Sequence, residues 1–90
     1  LNSLIGIIKQ RKEDYNPDSY TSNLLKEGMP KIAQKIVEEA GELSIASLTD
    51  KNSSKIIHEF SDLIYHMLVM LEKADINIQE IWDELELRKK

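Results

Sequence analysis

Residues 31–48, KIAQKIVEEAGELSIASL, and 55–71, KIIHEFSDLIYHMLVML, decide the fold. In both stretches apolar residues recur at spacings of three and four, the period of helix rather than strand. Only the polar turn Thr49-Asp50-Lys51-Asn52-Ser53 separates them, so the two helices should lie side by side and antiparallel. Pro30 suits the first turn of the earlier helix, where its missing N–H costs nothing, and that helix should reach about Leu48. Asn52 or Ser53 caps the later one, which should reach about Lys73. Upstream, Ser19 is a natural N-cap for a short helix ending near Gly28, a good αL residue. Before it, a helix over about Ser3 to Lys12 stops at a turn whose Asn16-Pro17 dipeptide disfavours helix. Downstream, Asp75 and Asn77 flank a break, and Asn77 caps a last helix with Ile78, Ile81, Trp82 and Leu85, Trp82 being expected in its core. The expected fold is all-α, an antiparallel bundle of about five helices forming one domain over residues 1–90.

Size and composition narrow the function. A chain of 90 residues buries only roughly 60–65% of the surface its unfolded form exposes, so its own core is thin. There is no cysteine, which removes disulfides and thiolate metal sites from consideration. Sixteen acidic residues against 12 basic give a net charge of -4, with both signs spread along the chain apart from the closing Arg88-Lys89-Lys90. That is not the basic stripe of a nucleic-acid binder, but clustered carboxylates still bind phosphates through divalent cations. No apolar run approaches the roughly 20 residues that span a bilayer, so no membrane partner is expected. The opening LNSLIGIIKQRK lacks the apolar region and cleavage site of a signal peptide. The default expectation is a cytoplasmic protein, and the missing initiator methionine points to trimming or to a longer parent.

The chemistry lies in two acidic stripes. Lys35, Glu38, Glu39 and Glu42 fall within about 100° of arc on the earlier helix, and Lys55, Glu59, Asp62 and His66 within about 60° on the later one. An acidic stripe opposite an apolar one, here Ile32, Ile36, Ala40, Leu43 and Ser47, is more often a plain solvated face. Two features oppose that reading. Glu38 is followed at i+4 by Glu42 and Glu39 by Leu43, not by the lysines usual on solvated faces. Asp62 and His66 also stand at the mouth of LIYHMLVML (63–71), a segment apolar nearly all round and so buried on several sides. Like charges one turn apart cost a helix about 0.2–0.5 kcal/mol per pair, and a divalent cation reverses that sign. Magnesium takes hard oxygen ligands and bridges to phosphate, so the pattern reads as metal-assisted phosphate chemistry.

The segment SYTSNLLKEGMPKIAQKIVEEAGELSIAS (19–47), followed by HEFSDLIYHMLVML (58–71), resembles the phosphoribosyl-ATP pyrophosphohydrolases. E-E-x-x-E, then E-x-x-D after the 16 residues between Glu42 and Glu59, is the broader signature of the MazG-like all-α nucleotide pyrophosphatases. Ser19-Tyr20-Thr21 and Asp62-Leu63-Ile64-Tyr65-His66 narrow it. The resemblance implies Mg2+-dependent hydrolysis of phosphoribosyl-ATP to phosphoribosyl-AMP and pyrophosphate, early in histidine biosynthesis. It also implies that Glu39, Glu42, Glu59 and Asp62 are metal ligands, with Glu38 an outer ligand or the base that orients water. Lys35, and more weakly Lys31, would contact phosphate, their plainer role being to balance the glutamates. Tyr20 and Thr21 open a helix whose N–H groups suit a phosphate, or they simply cap and pack. His66 is a substrate contact or a satisfied core histidine, and Tyr65 is structural. The chain departs from the family at Val37, where glycine is common, and at Gly41, where alanine is usual.

The all-round apolar 63–71 segment exceeds what one short chain can cover, so a homodimer is expected to complete the bundle. Two other functions remain open: a MazG-like housecleaning pyrophosphatase of other nucleoside triphosphates, and a non-catalytic helical assembly module.

Overall fold

The computed structural model describes residues 2–49 and 52–89, so Asp50 and Lys51 of the expected turn, and Lys90, lie outside it. Five helices follow one another: α1 (Asn2–Glu13), α2 (Tyr20–Glu27), α3 (Met29–Thr49), α4 (Ser53–Lys73) and α5 (Ile78–Leu87). No strand occurs among the described residues, and no helix among them is long and apolar enough to cross a membrane. At 21 residues each, α3 and α4 are rods of about 31 Å.

The expected caps form. Ser19 Oγ accepts from Ser22 N at 3.1 Å, Asn52 Oδ1 from Ser54 N at 3.1 Å, and Asn77 Oδ1 from Gln79 N at 2.8 Å. Glu80 Oε2 returns the favour by accepting from Asn77 N at 3.0 Å, completing a capping box. Gly28 does not adopt the expected αL geometry. Its φ of 95° and ψ of -176° lie in a region essentially reserved for glycine, because α2 must turn into α3 across this one residue. Gly28→Ala should therefore destabilise the chain by about 1–3 kcal/mol, as measured by urea unfolding, although a Cβ there would meet nothing closer than Pro30 Cδ at 3.9 Å.

Ile8, Leu24, Leu25, Ile32, Leu68 and Val69 form the core, one cluster drawn from α1 to α4. It sits where α1 and α2 pack on the first half of α3 and the second half of α4. Buried Ser22 ties the same corner together, donating through Oγ to Arg11 O at 2.9 Å and accepting from Asn16 N at 3.2 Å. At the far end of α4, Lys12 Nζ donates to Glu72 O at 2.9 Å and to Asp75 Oδ1 at 2.7 Å, a cation on the carbonyl end of a helix.

Two expectations change. Trp82 is not a core residue among the described residues, being 46% exposed on a helix with no buried residue; of α5, Ile78 packs against the core. On α3 the buried positions are Ile32, Glu39 and Ala46, so Glu39 of the acidic stripe turns toward α4 instead of standing opposite the core, while Glu38 and Glu42 stay exposed. Ser47, assigned to the apolar side, is exposed. The seven-residue spacing of Ile32, Glu39 and Ala46 is that of a helix-pair seam, and this pairing, not the stripe of a lone helix, sets the orientation.

Candidate functional site

The α3–α4 seam carries three carboxylates to one point. Oxygen atoms of Glu39, Glu42 and Glu59 all lie within 4.8 Å of one another. Two of the three are nearly buried, Glu39 at 7% exposure and Glu59 at 5%. They can be this close because the rods run antiparallel, with Glu42 level with Glu59, and because small Ala46 lies a turn farther along α3. A cleft of about 490 Å3 opens beside them, lined by Glu42, Ile45, Ala46, Thr49, Lys55 and Glu59.

Two lysines offset part of the charge. Lys55 Nζ stands 3.2 Å from Glu59 Oε1, and Lys35 Nζ 3.6 Å from Glu39 Oε1. The proximity shows in the proton affinities. The Glu59 carboxylate beside Glu42, with Glu39 adding like charge, holds the Glu42 carboxyl above its usual range. Burial pushes Glu59 upward, but the Lys55 ammonium and the Glu42 carboxyl outweigh it, and Glu59 stays below its usual range. One oxygen has no partner at all: Glu59 Oε2 is buried without a hydrogen bond. A buried carboxylate oxygen in that state is costly unless a cation answers it.

Three hard oxygen donors, with one buried oxygen unanswered, suit a divalent cation of the magnesium type. The remaining expected site residues are distributed around this point. Asp62, one turn beyond Glu59, is outside the cluster and faces His58, with Nε2 to Oδ2 at 3.4 Å. Glu38 is also outside it, exposed, and engaged within its own helix by Lys35 Nζ at 3.3 Å and Gln34 Nε2 at 3.1 Å. The Gln34 hydrogen bond, then Lys35, holds the Glu38 carboxyl below its usual range. The hydrogen bond to Glu38 is the main cause of a raised Lys35 pKa, and Tyr20 adds to it from nearby. Lys31 is half-buried on α3, one turn before Lys35.

At the other end of the seam, α2 is fastened to α4 by consecutive residues on each side. Thr21 Oγ1 hydrogen-bonds Tyr65 Oη, and Tyr20 Oη lies 3.1 Å from His66 Nε2. His66 is buried, with Nδ1 2.8 Å from the Asp62 carbonyl. A carbonyl only accepts, so in the neutral ring Nδ1 carries the proton and Nε2 accepts from Tyr20. Both His66 nitrogens are thus satisfied within the chain. Lys55 and Tyr65 are the partners to which the sequence reading gave no site role; the i,i+4 spacing of Lys55 to Glu59 is the signal that marks the first. Val37 is exposed and a Cβ on Gly41 would meet nothing within 4 Å, so neither departure touches the cluster.

A model of the family described as phosphoribosyl-ATP pyrophosphohydrolase matches residues 1–89. Phosphoribosyl-ATP pyrophosphatase of Metallosphaera sedula is 42% identical over 90 residues, covering 100% of this chain and 96% of that protein. The Pyrobaculum arsenaticum protein of the same name is 38% identical over 90 residues, covering 100% and 95%. The histidine biosynthesis bifunctional protein HisIE of Buchnera aphidicola is 43% identical over 89 residues, 99% of this chain but only 41% of that longer relative.

Proposed function

The chain belongs to the phosphoribosyl-ATP pyrophosphohydrolase family, and from that premise we propose how its residues carry out the reaction. It hydrolyses phosphoribosyl-ATP to phosphoribosyl-AMP and pyrophosphate, a step of histidine biosynthesis. Glu39, Glu42 and Glu59 hold Mg2+, and the observation that carries this is the buried, unpartnered Oε2 of Glu59, one of the three clustered carboxylates. Asp62 joins them by leaving His58, an exposed pairing of a kind worth little. Bound there, Mg2+ supplies the Lewis acidity that phosphoanhydride cleavage uses.

The chain's own groups do the rest. Lys35, freed from Glu38 and Glu39 as phosphate arrives, places a point charge against the oxygens that gain negative charge. Glu38 then has an oxygen available to orient the attacking water, and Lys31 adds positive charge one turn away. The single domain works as a cytoplasmic homodimer. Ile57, Phe60 and Met67 share one exposed face of α4, and Trp82 is exposed on α5, apolar side chains that a second copy would cover. The radius of gyration, 14.5 Å, also exceeds the roughly 12 Å of a compact chain this long.

Pyrophosphate release tests the assignment. Purified protein with Mg2+ should release it from phosphoribosyl-ATP and not from a panel of ordinary nucleoside triphosphates. Release from the panel instead would indicate a housecleaning enzyme, and release from neither a non-catalytic assembly module.

A further inference from the structure

Outside the carboxylate cluster, the reaction as proposed makes no use of the three rings at the α2–α4 junction. Tyr65 and His66 meet edge to face with centroids 5.0 Å apart, and Tyr20 lies against both, 6.4 Å from Tyr65 and 6.0 Å from His66. Burial across the trio is uneven. His66 is buried and Tyr65 half-buried, yet Tyr20 is 55% exposed although its hydroxyl is bonded inward. The phenol is anchored by its tip and flanked by two rings, while just over half of the residue is open to solvent.

Its position matters as well. Because Glu42 is level with Glu59 on the antiparallel rods, Lys35 is level with His66, seven residues along each helix. That puts Tyr20, on His66, at the Lys35 level, about 10 Å from the Glu42–Glu59 level along the rods. A ribose and an α-phosphate bridge such a span between a nucleobase and the scissile anhydride.

We propose that the open face of Tyr20 is the surface on which the adenine base stacks, with His66 the positioning residue that holds the ring there. This rests on the reading of the Glu39, Glu42 and Glu59 cluster as the phosphate end of the site. The surface recognises a flat base by its π face, and no hydrogen bond from Tyr20 is needed, since its hydroxyl is committed to His66.

Titration calorimetry on the full chain in Mg2+, with ADP and inorganic pyrophosphate as probes, tests this. Tyr20→Leu should weaken ADP binding about tenfold or more, the usual worth of a base on an aromatic ring, and leave pyrophosphate binding unchanged. Tyr20→Trp should retain ADP affinity. His66→Leu should weaken ADP alone, and His66→Gln, which keeps an acceptor for the phenol, should restore it. A purely structural His66 would lower both probes together. Unchanged ADP affinity in Tyr20→Leu, equal losses of both probes, or no ADP binding by the unsubstituted chain overturns the proposal. If the variants fail to fold, nuclear Overhauser contacts between adenine protons and the Tyr20 ring in the unsubstituted chain decide it, their presence supporting stacking and their absence with ADP bound excluding it. Turnover of phosphoribosyl-ATP is measured apart. Its failure alongside intact ADP stacking would remove the substrate and leave the stacking surface.

Discussion

Glu59→Gln is expected to lower kcat by at least about 100-fold, the upper range for loss of a metal's supporting partners, and at the same time to raise the melting temperature of the metal-free chain. The two effects share one cause. Glu59 is buried beside Glu39 and Glu42, with Oε1 facing Lys55 and Oε2 without a hydrogen bond. Glutamine keeps the oxygen for Lys55 and puts an N–H donor where the orphan oxygen stood, next to two carboxylates that only accept. Like charge falls beside Glu42, whose carboxyl Glu59 holds above its usual range, and the buried position without a hydrogen bond gains a donor. The feature that makes the site good for a cation makes it poor without one. Asp62→Asn separates the two effects: turnover should collapse equally, but the metal-free melting temperature should stay put, because Asp62 is half-exposed and outside the cluster. Steady-state turnover and calorimetric melting in chelator read both. A metal-free Glu59→Gln chain that melts lower than the unsubstituted one would mean that the three carboxylates are not in conflict.

Phe60→Asp should convert a dimer into a monomer and cost much of the stability. Phe60 is 51% exposed and lies along α4 with Ile57 and Met67, also exposed, at spacings of three and seven that put them on one face. Two copies related by a twofold axis can bury this face against itself. A carboxylate at its centre would be desolvated without a counterion, weakening association by about 2 kcal/mol or more, or roughly 30-fold in Kd. Sedimentation velocity at micromolar concentration reads the change. An unsubstituted chain that sediments as a monomer would refute the dimer itself.

The helices were legible because their ends are written in local chemistry. Ser19, Asn52 and Asn77 cap where their side-chain oxygens suggest, Pro30 stands in a first turn, and the observed boundaries fall within a residue or two of those expected. The meeting of Glu39, Glu42 and Glu59 was legible too, since a short turn between two rods leaves them little choice but to run antiparallel. What a single helix cannot reveal is which of two adjacent acids faces a neighbour. Glu38 and Glu39 are about 100° apart on the same turn, and the outcome depended on the seam through Ile32, Glu39 and Ala46. Glu38 went the other way, to Gln34 and Lys35. Trp82 and Gly28 mark two further limits. A tryptophan on an amphipathic helix is expected to be covered, but the sequence does not say by which chain. A glycine between helices announces a turn without stating its ψ.

Binding of Mg2+ to the chain, followed by titration calorimetry in the absence of nucleotide, tests most directly whether α3 and α4 share a cation. The expected result is saturable binding to the unsubstituted protein and its loss in both Glu39→Gln and Glu59→Gln. Undiminished binding in both variants would contradict it.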